Sequence, residues 1–222
     1  MRNAIEVVTQ HDPHFPAFVK PLRIGLFQAA LCRGHFMSYS LTWLPDVLRA
    51  AGLNVVLIDG WAHRGRAAMG AVQGVMCHHT GGPRSGNMPT LATLINGRAD
   101  LPGPLSQLGL GRDGTYYVIA AGRCNHAGVG EFRGSQAGNS RFIGIEAENQ
   151  GIAADPWPAV QYQSYVRGVA AILAKLGATV DCCIGHKEFA RPVGRKIDPS
   201  FDMAHFRERV RVQLERLQGR PD

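Results

Sequence analysis

Residues 185–200 read GHKEFARPVGRKIDPS, a segment broken by glycine and proline that offers little to a core yet carries His186, Lys196 and Asp198. Imidazole and carboxylate are both zinc donors, and a catalytic zinc site keeps one of its four tetrahedral positions open for water, so it needs three protein ligands. Candidate donors stand in CHHTGG (His78 or His79), in CNHAG (His126), at His186 and at Asp198, which is one more place than required. Each also has a plain structural use. A histidine at a strand end commonly serves as a hydrogen-bonded structural group, and an aspartate before proline suits a turn. Strand alternation turns His79 and Cys77 to the side opposite His78. Cys182 and Cys183, in VDCCI, read as small core hydrophobes.

A second set of reactive groups lies in RFIGIEAEN at 141–149. Alternation there puts Phe142, Gly144, Glu146 and Glu148 on one face of a strand, with Ile143, Ile145 and Ala147 on the other. Two carboxylates therefore share a face. They stand about 6.8 Å apart along the strand, so only one of them can reach a given water.

The elements that must position these groups are legible in the periodicity. Leu44, Val47, Leu48 and Ala51 recur at helical spacing, with Ser40 or Thr42 available as a cap and Gly52 as a stop. NVVLID at 54–59 and GVMCHH at 74–79 read as strands, and Leu91, Leu94 and Ile95 mark a short helix within 88–97. LSQLGLGRDGTYYVIA at 105–120 reads as a β-hairpin about Arg112-Asp113-Gly114. A long amphipathic helix is expected from Pro158 to Leu176, closed by Gly177, and a last one from Asp202 with Met203, Phe206, Val210, Leu214 and Leu217 inside. Strands interleaved with helices predict an α/β fold with a mixed central β-sheet flanked by helices. Residues 1–36 show no sustained period and read as an N-terminal arm, leaving 37–222 as the catalytic domain.

Composition limits the function classes. The chain has 222 residues, 45% hydrophobic and 18% charged, enough for one good core without staples. Its five cysteines are odd in number and include no C-x-x-C pair, so no disulfide framework is expected, in keeping with synthesis in a reducing cytoplasm. The net charge of +7 suits an anionic partner. Its basic residues are scattered and no RNA-binding aromatic signature accompanies them, so no nucleic-acid partner is expected. No run approaches the roughly 20 apolar residues of a membrane span. KPLRIGLFQAALC at 20–32 has too short an apolar stretch for an export signal.

Taken together and in this order, GVMCHHT, CNHAG, IGIEAEN and the closing G-H and R-K-x-D-P resemble the type 2 N-acetylmuramoyl-L-alanine amidases, over about 41–210. That fold is shared with phage-lysozyme-type amidases and peptidoglycan recognition proteins. The resemblance implies zinc held by His78, His186 and Asp198, Glu146 as general base and Lys196 as partner of the oxyanion. It implies Asn125, His126 and Glu148 as substrate contacts. The implied reaction is hydrolysis of the amide joining the lactyl group of N-acetylmuramic acid to L-alanine, with peptidoglycan as substrate. TWLPDVLRAAGLNVVLIDGW followed by CHHTGG is similar to phage amidase endolysins, which implies a monomeric lytic enzyme. It would be made in the bacterial host cytoplasm and act on the cell wall or periplasmic peptidoglycan. A cytoplasmic muropeptide-recycling amidase would share this chemistry, whereas a binding-only module typically lacks a metal ligand. Some relatives place a tyrosine on the strand before the R-D-G turn; here Ser106 or Leu108 stands near that position.

Overall fold

The structure, a computed structural model, describes residues 40–219. The arm at 1–36, with the apolar stretch at 20–32, lies outside the described residues. In chain order the elements are α1 (Leu44–Ala50), β1 (Val55–Leu57), β2 (Gly74–His79), α2 (Leu91–Asn96), β3 (Gly97–Arg98), β4 (Leu101–Pro102), β5 (Leu108–Leu110) and β6 (Tyr116–Val118). They continue with α3 (Gly138–Arg141), β7 (Phe142–Ala147), α4 (Ala159–Leu176), β8 (Cys183–Gly185), α5 (His186–Phe189) and α6 (Met203–Leu217).

Six strands form one sheet in the order β1-β6-β5-β7-β2-β8. Only the β5–β6 hairpin is antiparallel; the other neighbours run parallel. Parallel strands are covered on both faces, and the alternation in β2 and β7 shows how. Val75, Cys77, Ile143, Ile145 and Ala147 enter the larger core with Tyr165, Val169, Ile172 and Leu173 of α4. Met76 and Phe142 face the other way, into a smaller cluster with Ala127, Ile184 and Phe189. Full burial of each large apolar side chain contributes about 1.5–3 kcal/mol, so β2, β7 and α4 form a rigid platform. Their C-terminal strand ends are where open α/β sheets place ligands.

Two expectations are corrected. Helix α1 starts from Trp43 without a side-chain cap, neither Ser40 nor Thr42 serving; Pro45 sits in its first turn, where its fixed φ favours helix entry. Gly52, at φ +70°, ends the helix as expected. Leu217 is 45% exposed, because the last turn of α6 runs past the core that Phe206, Val210 and Leu214 fill. Asp202 caps that helix by accepting from the backbone N–H groups of Ala204 and His205.

Among the described residues no helix is long and apolar enough to cross a membrane. Cys77, Cys124, Cys182 and Cys183 are free thiols.

Candidate active site

The parallel register brings three chemical groups to one end of the sheet. His78 on β2 is the direct neighbour of Glu146 on β7. On the other side of β2, Cys77 pairs with Gly185, the last residue of β8, so His186 begins α5 beside His78. The backbone here is pinned from the core side by Tyr165. Its hydroxyl accepts from His78 N at 2.9 Å and lies 2.9 Å from Ile145 O and 3.2 Å from His78 O.

Asp198 arrives from the far end of the GHKEFARPVGRKIDPS loop. Lys187 draws the two ends together. Its backbone N–H donates to Asp198 O at 2.7 Å, and its ammonium donates to Pro199 O and Phe201 O, both at 2.8 Å. Glu188 accepts from Gly185 N at 2.8 Å and pairs with Arg207 at 2.9 Å, fixing the start of α5. Nothing in the sequence pattern marked Tyr165, Lys187 or Glu188. A buried hydroxyl and a loop lysine gain meaning only once the chain is folded.

The outcome is a buried triad of donors, His78, His186 and Asp198. His78 Nδ1 lies 3.0 Å from His186 Nδ1 and 3.1 Å from Asp198 Oδ2, and His186 Nδ1 lies 3.0 Å from the same oxygen. Ligands of a tetrahedral centre with bonds of about 2.0 Å stand roughly 3.3 Å apart. The residues present thus fit a small divalent cation, and no other group of three such donors gathers among the described residues.

Electrostatics agree with this use. Burial, then the neighbouring His186, holds His78 down at about 4, so its ring is neutral and able to bind metal. Burial works to raise the Asp198 carboxyl, yet its close contacts with the His186 and His78 rings hold it well below the usual carboxylate range. Glu146 goes the opposite way. Burial first, and then the charge of Asp198, push it up to about 8. Its Oε1 is 3.7 Å from His78 Nδ1, and its Oε2 is buried with no hydrogen-bond partner among the described residues.

The other expected residues are distributed as follows. Lys196 and Asn125 line the same cleft as Glu146, His186 and Asp198, a cavity of about 160 Å³. The Asn125 amide donates to Pro102 O at 2.9 Å. Glu148 is fully buried; it accepts from Thr80 Oγ1 at 2.8 Å, from Thr90 N at 3.2 Å and from the Thr90 hydroxyl. His126 is buried beneath His78, its Nδ1 3.1 Å from His78 Nε2. His79 points away from the triad, and its Nδ1 accepts from Ser200 N at 3.2 Å. Ser106, near the position of the relatives' tyrosine, is buried, its hydroxyl 2.8 Å from Gly144 O.

This arrangement can be compared with known proteins. In fold the chain is similar to the Escherichia coli N-acetylmuramyl-L-alanine amidase AmiD, solved with the substrate anhydro-N-acetylmuramic acid-L-Ala-D-gamma-Glu-L-Lys. That match has 21% identity and a TM-score of 0.52, over 66% of this chain and 60% of that one. The chain therefore spans about 60% of the length of AmiD. It is also similar to the Staphylococcus aureus hydrolase AmiA in complex with its ligand, at 15% identity and a TM-score of 0.54, over 80% of this chain and 92% of that one. The catalytic domain of XlyA matches at 18% identity and a TM-score of 0.53, over 71% of this chain and 99% of that one. At such identities the likeness is one of fold. No curated protein sequence matches the chain. Residues 68–201, which hold every donor of the triad together with Glu146 and Lys196, match the family described as N-acetylmuramoyl-L-alanine amidase, and to that family the chain belongs.

Proposed function

We propose that the protein is a zinc-dependent hydrolase that cleaves the amide between N-acetylmuramic acid and L-alanine in peptidoglycan, acting as a lytic enzyme on the wall. The observation that carries this reading is the placement of Glu146 beside the His78–His186–Asp198 triad, at the ends of adjacent parallel strands. Two imidazoles and one carboxylate are a donor set that suits zinc. Zinc held there would supply a Lewis acid for the amide carbonyl and would make a water molecule more acidic.

The chain's own groups supply the proton transfers. Glu146 offers Oε2, a buried acceptor without a partner among the described residues, to the attacking water. A cation bound in the triad favours the ionised carboxylate and opposes the burial that raises Glu146, so the group can accept a proton near neutral pH. It then returns that proton to the departing amine of L-alanine. Lys196, on the same cleft, presents its ammonium to the developing oxyanion. Asn125 lines the same cleft, where substrate would lie.

The charge favours the lytic role over recycling of soluble fragments, while a cavity of about 160 Å³ is too small to enclose either substrate whole. The net charge of +7 suits a carboxylate-rich polymer. We place the catalytic domain at 37–222; a chain shortened to start at Met37 should fold and retain activity.

The test offers the purified protein, zinc-loaded or chelated, intact sacculi and a soluble anhydro-muropeptide in parallel. The expected result is new L-alanine amino termini from sacculi with the zinc form only. Turnover confined to the soluble fragment would favour the recycling role. Release of reducing sugar ends without new amino termini would overturn the amidase reading.

A further inference from the structure

His78 and His186 can serve a metal through Nδ1 only if that nitrogen carries no proton, and the structure contains a device that arranges this for both. His126 Nε2 lies 3.2 Å from Phe142 O. A carbonyl only accepts, so His126 donates there, and its Nδ1 is left as an acceptor. That Nδ1 is 3.1 Å from His78 Nε2, which must then bear the proton of the neutral ring. His78 Nδ1 is thereby left bare, facing His186 Nδ1 and Asp198 Oδ2. The next residue does the same for the second ligand. His186 Nε2 donates to Ala127 O at 2.9 Å, which leaves His186 Nδ1 bare as well.

Residues 126 and 127 are themselves held in place. Asn139 Oδ1 accepts from both backbone N–H groups, at 2.9 Å from His126 N and 2.7 Å from Ala127 N. The His126 ring lies against Gly144 of β7, where an added Cβ would meet ring atoms at 2.7, 2.9 and 3.0 Å. The missing side chain at Gly144 is what lets the imidazole in.

We infer that His126 is a positioning residue of the metal site, fixing the tautomer and ring orientation of His78, while the adjoining Ala127 carbonyl does so for His186. This rests on the metal-site reading above. Groups of this kind are usually carboxylates, carbonyls or waters, and their loss typically weakens metal binding 10- to 100-fold. A neutral imidazole in that place orients His78 without adding a second anion to a site that already holds Asp198.

The test compares wild type, His126→Phe and His126→Asn by zinc competition against a chromophoric chelator and by the visible spectrum of the Co²⁺ form. Phenylalanine keeps the ring but cannot accept; asparagine places Oδ1 near the old Nδ1 position and can. Zinc affinity should fall roughly 10- to 100-fold for the phenylalanine variant, with an altered Co²⁺ spectrum, and should recover to within a few-fold for asparagine. A wild type that binds no zinc would overturn the metal-site reading itself. Tight wild-type binding matched by the phenylalanine variant would overturn only the role of His126. Should that variant melt early without metal, the ring-nitrogen NMR spectrum of zinc-loaded wild type decides. Protons at Nε2 alone on His78 and His126 are expected, and a proton on His126 Nδ1 would overturn the inference.

Discussion

Glu146 and His78 face each other across two parallel strands in exact register, with Glu146 Oε1 3.7 Å from His78 Nδ1. The proposed proton acceptor and the proposed metal ligand are thus set by one backbone pairing, and a change at one need not move the other. Glu146→Gln should keep zinc and the fold but lose about 10²-fold or more in turnover, the usual scale for a general base. Dye release from labelled sacculi at matched zinc content measures this. An active Glu146→Gln enzyme would remove Glu146 from the reaction.

Glu148, one pleat further along, has a different task. Its carboxylate gathers Thr80 and the backbone and hydroxyl of Thr90, tying the segment that follows β2 to the end of β7. Glu148→Ala leaves those half-buried donors without their acceptor, which costs about 1–3 kcal/mol. Thermal or denaturant unfolding should show that loss, with turnover per folded molecule reduced far less than in Glu146→Gln. Unchanged stability would contradict the assignment.

Acid sensitivity should come in part from Asp155, whose carboxylate receives both Arg112 nitrogens at 2.9 and 2.8 Å. The Arg112 hydrogen bonds hold its pKa below the ordinary 3.8. The unfolded chain therefore takes up a proton first as pH falls. The stabilisation is complete above the unfolded value and is lost as pH drops through the lower folded one. Arg112→Gln should be less stable than wild type at pH 7, and the gap should close below about pH 4. A gap that stays constant between pH 7 and pH 3 would rule this out.

These residues also show where the sequence was readable. Period-two alternation is visible in GVMCHH and IGIEAE because one face of each strand is apolar, so His78 and Glu146 could each be assigned a face of its own strand, while their pairing comes from the sheet register. The hairpin and α4 were legible for the same reason, a turn tripeptide in one case and a helical stripe closed by glycine in the other. Alternation also put Glu148 on the face of Glu146, but its partners Thr80 and Thr90 come from a segment whose path is set by tertiary packing. His126 could be read as a substrate contact or as a structural group, because its motif says nothing of the Phe142 carbonyl and Gly144 surface against which it rests. The uncapped start of α1 escaped for a local reason: serine and threonine were available, but Pro45 set the entry.

Two lysines of the same loop should separate metal binding from catalysis. Lys187 spends its ammonium on Pro199 O and Phe201 O, and so holds Asp198 against His186, twelve residues away in sequence. Lys196 lines the cleft. Lys187→Met retains the backbone N–H to Asp198 O but frees the following segment, so zinc affinity should fall roughly 10-fold or more, as for other groups that orient a ligand. Its turnover should recover when zinc is saturating. Lys196→Met should bind zinc as wild type does and yet lose about 10²- to 10³-fold in turnover at any zinc concentration, the scale of a missing oxyanion partner. Zinc titrations read by competition, with turnover recorded at each point, distinguish the two. If zinc rescues Lys196→Met, that ammonium is not the oxyanion partner; if Lys187→Met binds zinc normally, the position of Asp198 is held by the backbone alone.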